Sequence, residues 1–322
     1  MQIKYILRFS RAFIAKLTAA VLVLLLSLLI MPFYTDGDQA KYRKVYEVLP
    51  DLGLTEGFLF YSFTLTSQEF VHFFLSWVAS RFVEKDLFIA FSNSILAYVA
   101  MTLFQKWKVS VIIALLLLLT NFYFLVLYFA AERLKFGFIF LALSMLYIDN
   151  VKRFYGFAAL AFISHMQIII VYVSILFNVF VRQIIKLFRT LTVSKTVFKS
   201  LLFFAPFLFI LALLLGDYFL KKYQAYYGER SLAGLARIFV FLLLALWYSK
   251  KKSETFIMFI PIVIAVFLVG GERVNLFGYF AFLYYGLQFR GGWNFGVLAT
   301  SAYFAYSSIG FLSNVFQYGE GF

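Results

Sequence analysis

Cysteine is absent from the 322 residues of this chain, which excludes disulfides, thiol nucleophiles and thiolate metal sites. Histidine is nearly absent. His72 and His165 are the only two, too few for a histidine-based metal centre, so neither a metal nor another cofactor is expected. Acids are scarce as well, 15 against 29 Lys and Arg, and charged residues of both signs make up only 14% of the chain. A soluble domain carries about 25%. No polar stretch is long enough to fold alone, and no internal repeat is visible, which argues against transporter folds built from duplicated halves. Chemistry must therefore come from Arg, Lys, carboxylates, Tyr and one or two His.

Apolar surface is what the chain has in excess. With 64% hydrophobic residues, 22% aromatic residues and a mean hydropathy of +0.90, the composition predicts an all-α polytopic integral membrane protein. Residues 1–322 are expected to form a single transmembrane domain of about eleven helices, with external loops near 35–69 and 216–237. A net charge of +14 would suggest nucleic acid in a soluble protein. Here the bases fall in short clusters between apolar segments, the pattern of the positive-inside rule, and no nucleic-acid partner is expected.

The first sixteen residues carry Lys4, Arg8, Arg11 and Lys16 without an acid, so the N-terminus is expected in the cytoplasm and the helix after it points outward. The polar stretch that follows is richer in acids, with Asp36 and Asp38 at its start, and is placed outside. Phe70 to Val83 is apolar but too short to span comfortably, which predicts an interfacial or re-entrant helix. Leu87 to Phe104 then crosses to Lys106 and Lys108, and Val109 to Tyr128 crosses back, so Glu132, Arg133 and Lys135 emerge outside at a break between apolar segments. Phe154 to Phe180 is long for one span, and the base cluster beyond it, from Arg182 to Lys199, has to be cytoplasmic. Two short helices meeting near His165 at the outer face satisfy both requirements. Later in the chain, Gly270 and Gly271 are expected to break a helix at Glu272 and Arg273.

An ionisable residue at the centre of a spanning helix costs roughly 2.5–3.5 kcal/mol on insertion scales, so those that persist face protein, water or a ligand. Arg133, His165, Arg230, Arg237 and Arg273 gather in this scheme at one membrane face with Asp36, Asp38 and Glu272. Arginine presents a rigid fork that matches phosphate oxygens, and His or a carboxylate can take a proton from an attacking hydroxyl. Arg133, Arg273, His165 and Asp38 are accordingly the candidate catalytic residues, with Asp36, Glu132, Arg230, Arg237 and Glu272 as candidate substrate contacts. Tyr42, Tyr226, Tyr227 and Tyr279 join that set, because a ring with a hydroxyl can pack on a sugar face and bond its edge.

The order of these features resembles the Wzy and EpsG-like family of bacterial polysaccharide polymerases. The likeness runs through DGDQAKYRKVYE after the first helix, EGFLFYSF, the ER of AAERLKFGF, the His of LAFISHMQ, the KKYQAYYGER loop and GGERVNLFGYF. Where the family usually has Gln after the first of these arginines, this chain has Leu134. The resemblance implies a GT-C-like glycosyltransferase of the bacterial inner membrane that needs no metal. Its substrate would be an undecaprenyl-diphosphate-linked oligosaccharide, polymerised at the periplasmic face, with the lipid bilayer, a chain-length regulator and a flippase as partners. The competing readings are an O-antigen ligase, a flippase for the same lipid-linked sugar, and a membrane subunit whose charges are inert.

Overall fold

A computed structural model describes residues 2–190 and 232–322, together with Gly216 and Gln224. Among the described residues every regular element is helical. The helices are α1 (Gln2–Ile30), α2 (Asp38–Val48), α3 (Leu54–Leu65), α4 (Phe70–Ala79), α5 (Lys85–Lys106), α6 (Val111–Thr120), α7 (Phe122–Leu125) and α8 (Glu132–Leu146). They continue as α9 (Val151–Ser164), α10 (Ile169–Thr190), α11 (Leu232–Tyr248), α12 (Lys252–Val269), α13 (Gly271–Gln288) and α14 (Phe295–Tyr318). The chain divides into two compact units, residues 1–168 with 290–322, and residues 169–289.

Among the described residues, four helical segments are long and apolar enough to cross a membrane: Arg11–Phe33, Lys85–Lys106, Met166–Lys186 and Arg290–Tyr318. The pair Val111–Thr120 and Phe122–Ala130, bent by 56°, makes a fifth if it counts as one span. Among the described residues, then, the chain is helical with the lengths and composition of a membrane protein, and four or five of the roughly eleven expected spans are full-length helices there. Several apolar runs that read as spans are shorter or broken. Asn121, at φ −80° and ψ 128°, ends α6, and its side chain accepts from the Tyr123 amide to cap α7. Asn150 and Asn294 cap α9 and α14 in the same way, each taking an amide hydrogen three residues on.

In the first unit α1 packs along α5, α5 along α8, and α8 along α9. The stretch expected as a polar external loop is itself helical. There α2, α3 and α4 close over Tyr42, Val45, Leu49, Tyr61, Leu65 and Phe73, a small core that turns the polar face of α2 outward. The apolar run after it yields a ten-residue α4, too short to span, as its length suggested. In the second unit α11 packs on α13 and α10 on α12. The break read from Gly270 and Gly271 is present: Gly270 takes φ 92°, ending α12.

Candidate functional site

Glu69 is the residue on which the first unit's polar groups converge. It sits between α3 and α4, where Thr66 adopts left-handed backbone (φ 47°, ψ 44°) and turns the chain inward, and it occupies the N-cap position of α4. Its Oε2 accepts from the Ser67 hydroxyl at 2.7 Å and lies 2.9 Å from Arg133 Nη1. Its Oε1 lies against Nδ1 of His165. Burial alone would push this carboxyl up, but His165, Arg133 and Ser67 more than offset that and lower it from 4.5 to about 2. Glu69 is therefore an anion at any ordinary pH.

His165 reaches this point because α9 stops there. Its backbone is extended (φ −160°, ψ 118°), and the chain resumes in a 3-10 turn over Met166–Ile168 before α10. Gly137 on α8 makes room for that turn, since a Cβ there would stand 2.8 Å from Ile168 Cγ1 and 3.2 Å from His165 Cβ. The other ring nitrogen, Nε2, is 3.3 Å from Gln167 Oε1. Arg133 comes from the first turn of α8, and its Nε donates to the Tyr42 hydroxyl at 2.9 Å. With Nε and Nη1 engaged and its side chain 24% exposed, Nη2 keeps its donors free of partners among the described residues.

Directly behind this face lies a second, drier cluster. A π-helical turn over Val126–Ala130 presents the Phe129 carbonyl to Gln39 Nε2 at 2.6 Å, and the same amide donates to Glu132 Oε1 at 2.6 Å. Lys85, at the head of α5, donates to Glu132 Oε1 at 2.8 Å and also to Gln39. His72 touches both clusters, with Nε2 3.7 Å from Glu132 Oε2 and its ring 5.8 Å from that of Tyr42, while Nδ1 lies 3.0 Å from the Tyr61 hydroxyl. Lys135, fully buried, donates to Asn93 at 2.6 Å, and Asn93 in turn donates to Ser27 at 3.0 Å. Lys85 pairs with Glu132 and Arg133 with Glu69, so each carboxylate meets a cation, while Lys135 is held by Asn93. A partly exposed guanidinium with a donor to spare among the described residues can take an anionic group such as phosphate.

Comparison with family models, curated proteins and solved structures gave no match.

Of the residues picked from sequence, Arg133, His165 and Tyr42 meet in this site. Glu132, expected at the substrate, is 1% exposed and spent on Lys85 and Gln39, so it acts inside the protein rather than on a ligand. Asp36 and Asp38 are exposed, and none of their contacts reaches Glu69, Arg133 or His165. Asp36 accepts from the neighbouring Thr35 hydroxyl at 3.2 Å, while Asp38 opens α2. In the second unit Arg237 is an exposed residue of α11, and Tyr279 is fully buried against Phe241 and Phe282, an apolar packing position rather than a sugar platform. Glu272 and Arg273 fall in the first turn of α13. Tyr226, Tyr227 and Arg230 lie outside the described residues.

Glu69, Gln39, Lys85, His72 and Asn93 were not read from the sequence as site residues. Two of them left a trace there. Glu69 interrupts an otherwise uncharged run from Gly57 to Ser80, and Lys85 stands at the foot of a spanning segment, where snorkelling accounts for a lysine equally well.

Proposed function

We propose that this chain is a polysaccharide polymerase of the Wzy and EpsG-like kind. In this reading it is a GT-C-like glycosyltransferase of the bacterial inner membrane that moves a growing glycan from undecaprenyl diphosphate onto a new lipid-linked repeat unit at the periplasmic face. The observation that carries the reading is the convergence of Arg133 and His165, two motif residues from separate segments of the chain, on a single, largely buried carboxylate. Glycosyl transfer from a diphosphate needs a cation where the departing phosphate gathers charge and an acceptor for the attacking hydroxyl's proton. Arg133, with Nη2 unengaged among the described residues, fills the first role, and preorganised donors of this kind contribute several kcal/mol in a dehydrated cleft. His165 fills the second, a role worth roughly a hundred- to ten-thousand-fold in rate.

Deleting the gene and running the strain's lipopolysaccharide or capsular glycan on a gel tests the class of activity. A single repeat unit per acceptor is the expected result, whereas complete loss of repeats points to flipping or ligation. Complementation then tests the residues. Arg133→Lys keeps the charge but loses the fork, and is expected to be nearly as defective as Arg133→Ala; His165→Ala is expected to abolish the ladder at normal protein levels. Full-length ladders from all of these variants would remove the proposal.

A further inference from the structure

We infer that Glu69 is a positioning residue that holds His165 as a single tautomer, with its proton on Nδ1 and the lone pair of Nε2 turned toward the substrate. As a statement about catalysis the inference rests on the function proposed above, but the tautomer can be measured without reference to it.

The argument starts from what each atom of the carboxylate can accept. Oε2 already takes the Ser67 hydroxyl and the Arg133 guanidinium, and Oε1 is left for His165 Nδ1. An ionised carboxylate has no hydrogen to give, so Nδ1 must be the donor in that contact. In the neutral ring Nε2 is then an acceptor, and it is the nitrogen farther from Glu69. Beside it, with Oε1 3.3 Å away, stands the Gln167 amide, which a half-turn about its last side-chain bond converts from acceptor to donor toward that lone pair. The amide supplies a weak neutral hydrogen bond that an incoming hydroxyl can replace. In the transfer step, the acceptor oxygen bonds to the anomeric carbon, the bond from that carbon to the diphosphate oxygen breaks with its electron pair leaving on phosphate, and the hydroxyl proton passes to Nε2. The imidazolium so formed faces the fixed negative charge of Glu69, which stabilises it without accepting the proton.

One carboxylate thus serves both partners of the reaction. It orients the base through Oε1, and through Oε2 it holds the guanidinium that meets the leaving group. Gly137 lets the His165 turn approach α8 closely enough for both contacts to be made at once.

The test uses full-length protein in detergent micelles with 15N-labelled histidine, at a pH where the rings are neutral. Only two histidines contribute signals, and His165→Ala assigns them. In the wild type, His165 is expected to show a protonated Nδ1 and an unprotonated Nε2. In Glu69→Gln, which keeps the shape and removes the charge, it should move toward the mixture of tautomers of free imidazole. The His72 signals, held by Tyr61, are expected to stay in place and so report that the variant is folded. In cells the same variant should cut polymer output about a hundredfold. A His165 protonated on Nε2 in the wild type, or a spectrum unchanged by Glu69→Gln, overturns the inference whatever the reaction turns out to be. The expected tautomers together with a normal glycan ladder from His165→Ala would support the pairing and overturn the polymerase function instead.

Discussion

A carboxylate as deeply placed as Glu69 survives only because three donors reach it, and its titration records that. Its acid form is disfavoured in the folded protein, since the value falls to about 2 from the ordinary 4.5. A depressed folded-state value means that Glu69 contributes stability above about 4.5, and that the contribution fades as pH falls through that value toward about 2. Thermal unfolding of detergent-solubilised protein checks the sign. The advantage of wild type over Glu69→Gln is expected to be constant from neutral pH down to about 4.5, and to narrow steadily below it. An advantage that grows on acidification would contradict the described contacts. Lys85 and Glu132 make a different kind of pair, almost wholly enclosed and tied together by Gln39. Their role is internal, because losing either would strand the other in a medium that cannot solvate it.

Among the elements, the α8 to α9 pairing decides where His165 stands. Gly137 lies directly against the turn after α9, and no side chain fits there without displacing Ile168 or His165. Two opposing effects bear on Gly137→Ala. Helix propensity would stabilise it by up to about 1 kcal/mol, while overpacking a filled contact costs about 1–3 kcal/mol. At 2.8 Å from a buried isoleucine the steric term wins. The variant is expected to melt several degrees lower than wild type in a detergent thermal-shift assay and to give a weakened glycan ladder through a displaced His165. The short helices α2 to α4 matter for a related reason. Each is too brief to be stable alone, and their shared core of Tyr42, Tyr61 and Phe73 is what delivers Gln39, Tyr42, Glu69 and His72 to α8.

For the molecule as a whole, the charge pattern makes a topological prediction. Lys106, Arg182 and Lys250 each follow or precede apolar helices and are expected on the cytoplasmic side with the N-terminus, which leaves His165 at the periplasmic face. Alkaline phosphatase fused near His165 should be active, and fused after Arg189 it should be inactive. The reverse result would place the Glu69, Arg133 and His165 cluster on the wrong side of the membrane for a lipid-linked periplasmic substrate.

The helical membrane character of this chain was decided by its sequence alone. Apolar excess, base clusters between apolar runs and the lack of cysteine leave few other classes; the helix break at Gly270 was legible from the glycine pair, and the one near His165 from the placement of the base clusters. Arg133 and His165 were legible as site residues because a base in an apolar context is conspicuous. Their shared partner was not, since Glu69 sat in a stretch that composition presented as a polar loop, whereas the folded chain makes it two helices and a turn. The inward turn of Glu132 was equally hidden. An acid beside an arginine looks the same in sequence whichever of the two faces the ligand, and only the packing of α2, α4 and α5 against the start of α8 places Gln39, His72 and Lys85 within reach of Glu132 and leaves Arg133 the donor at the surface. Pairings between residues that far apart in the chain depend on how helices stack, and helix periodicity carries no record of that.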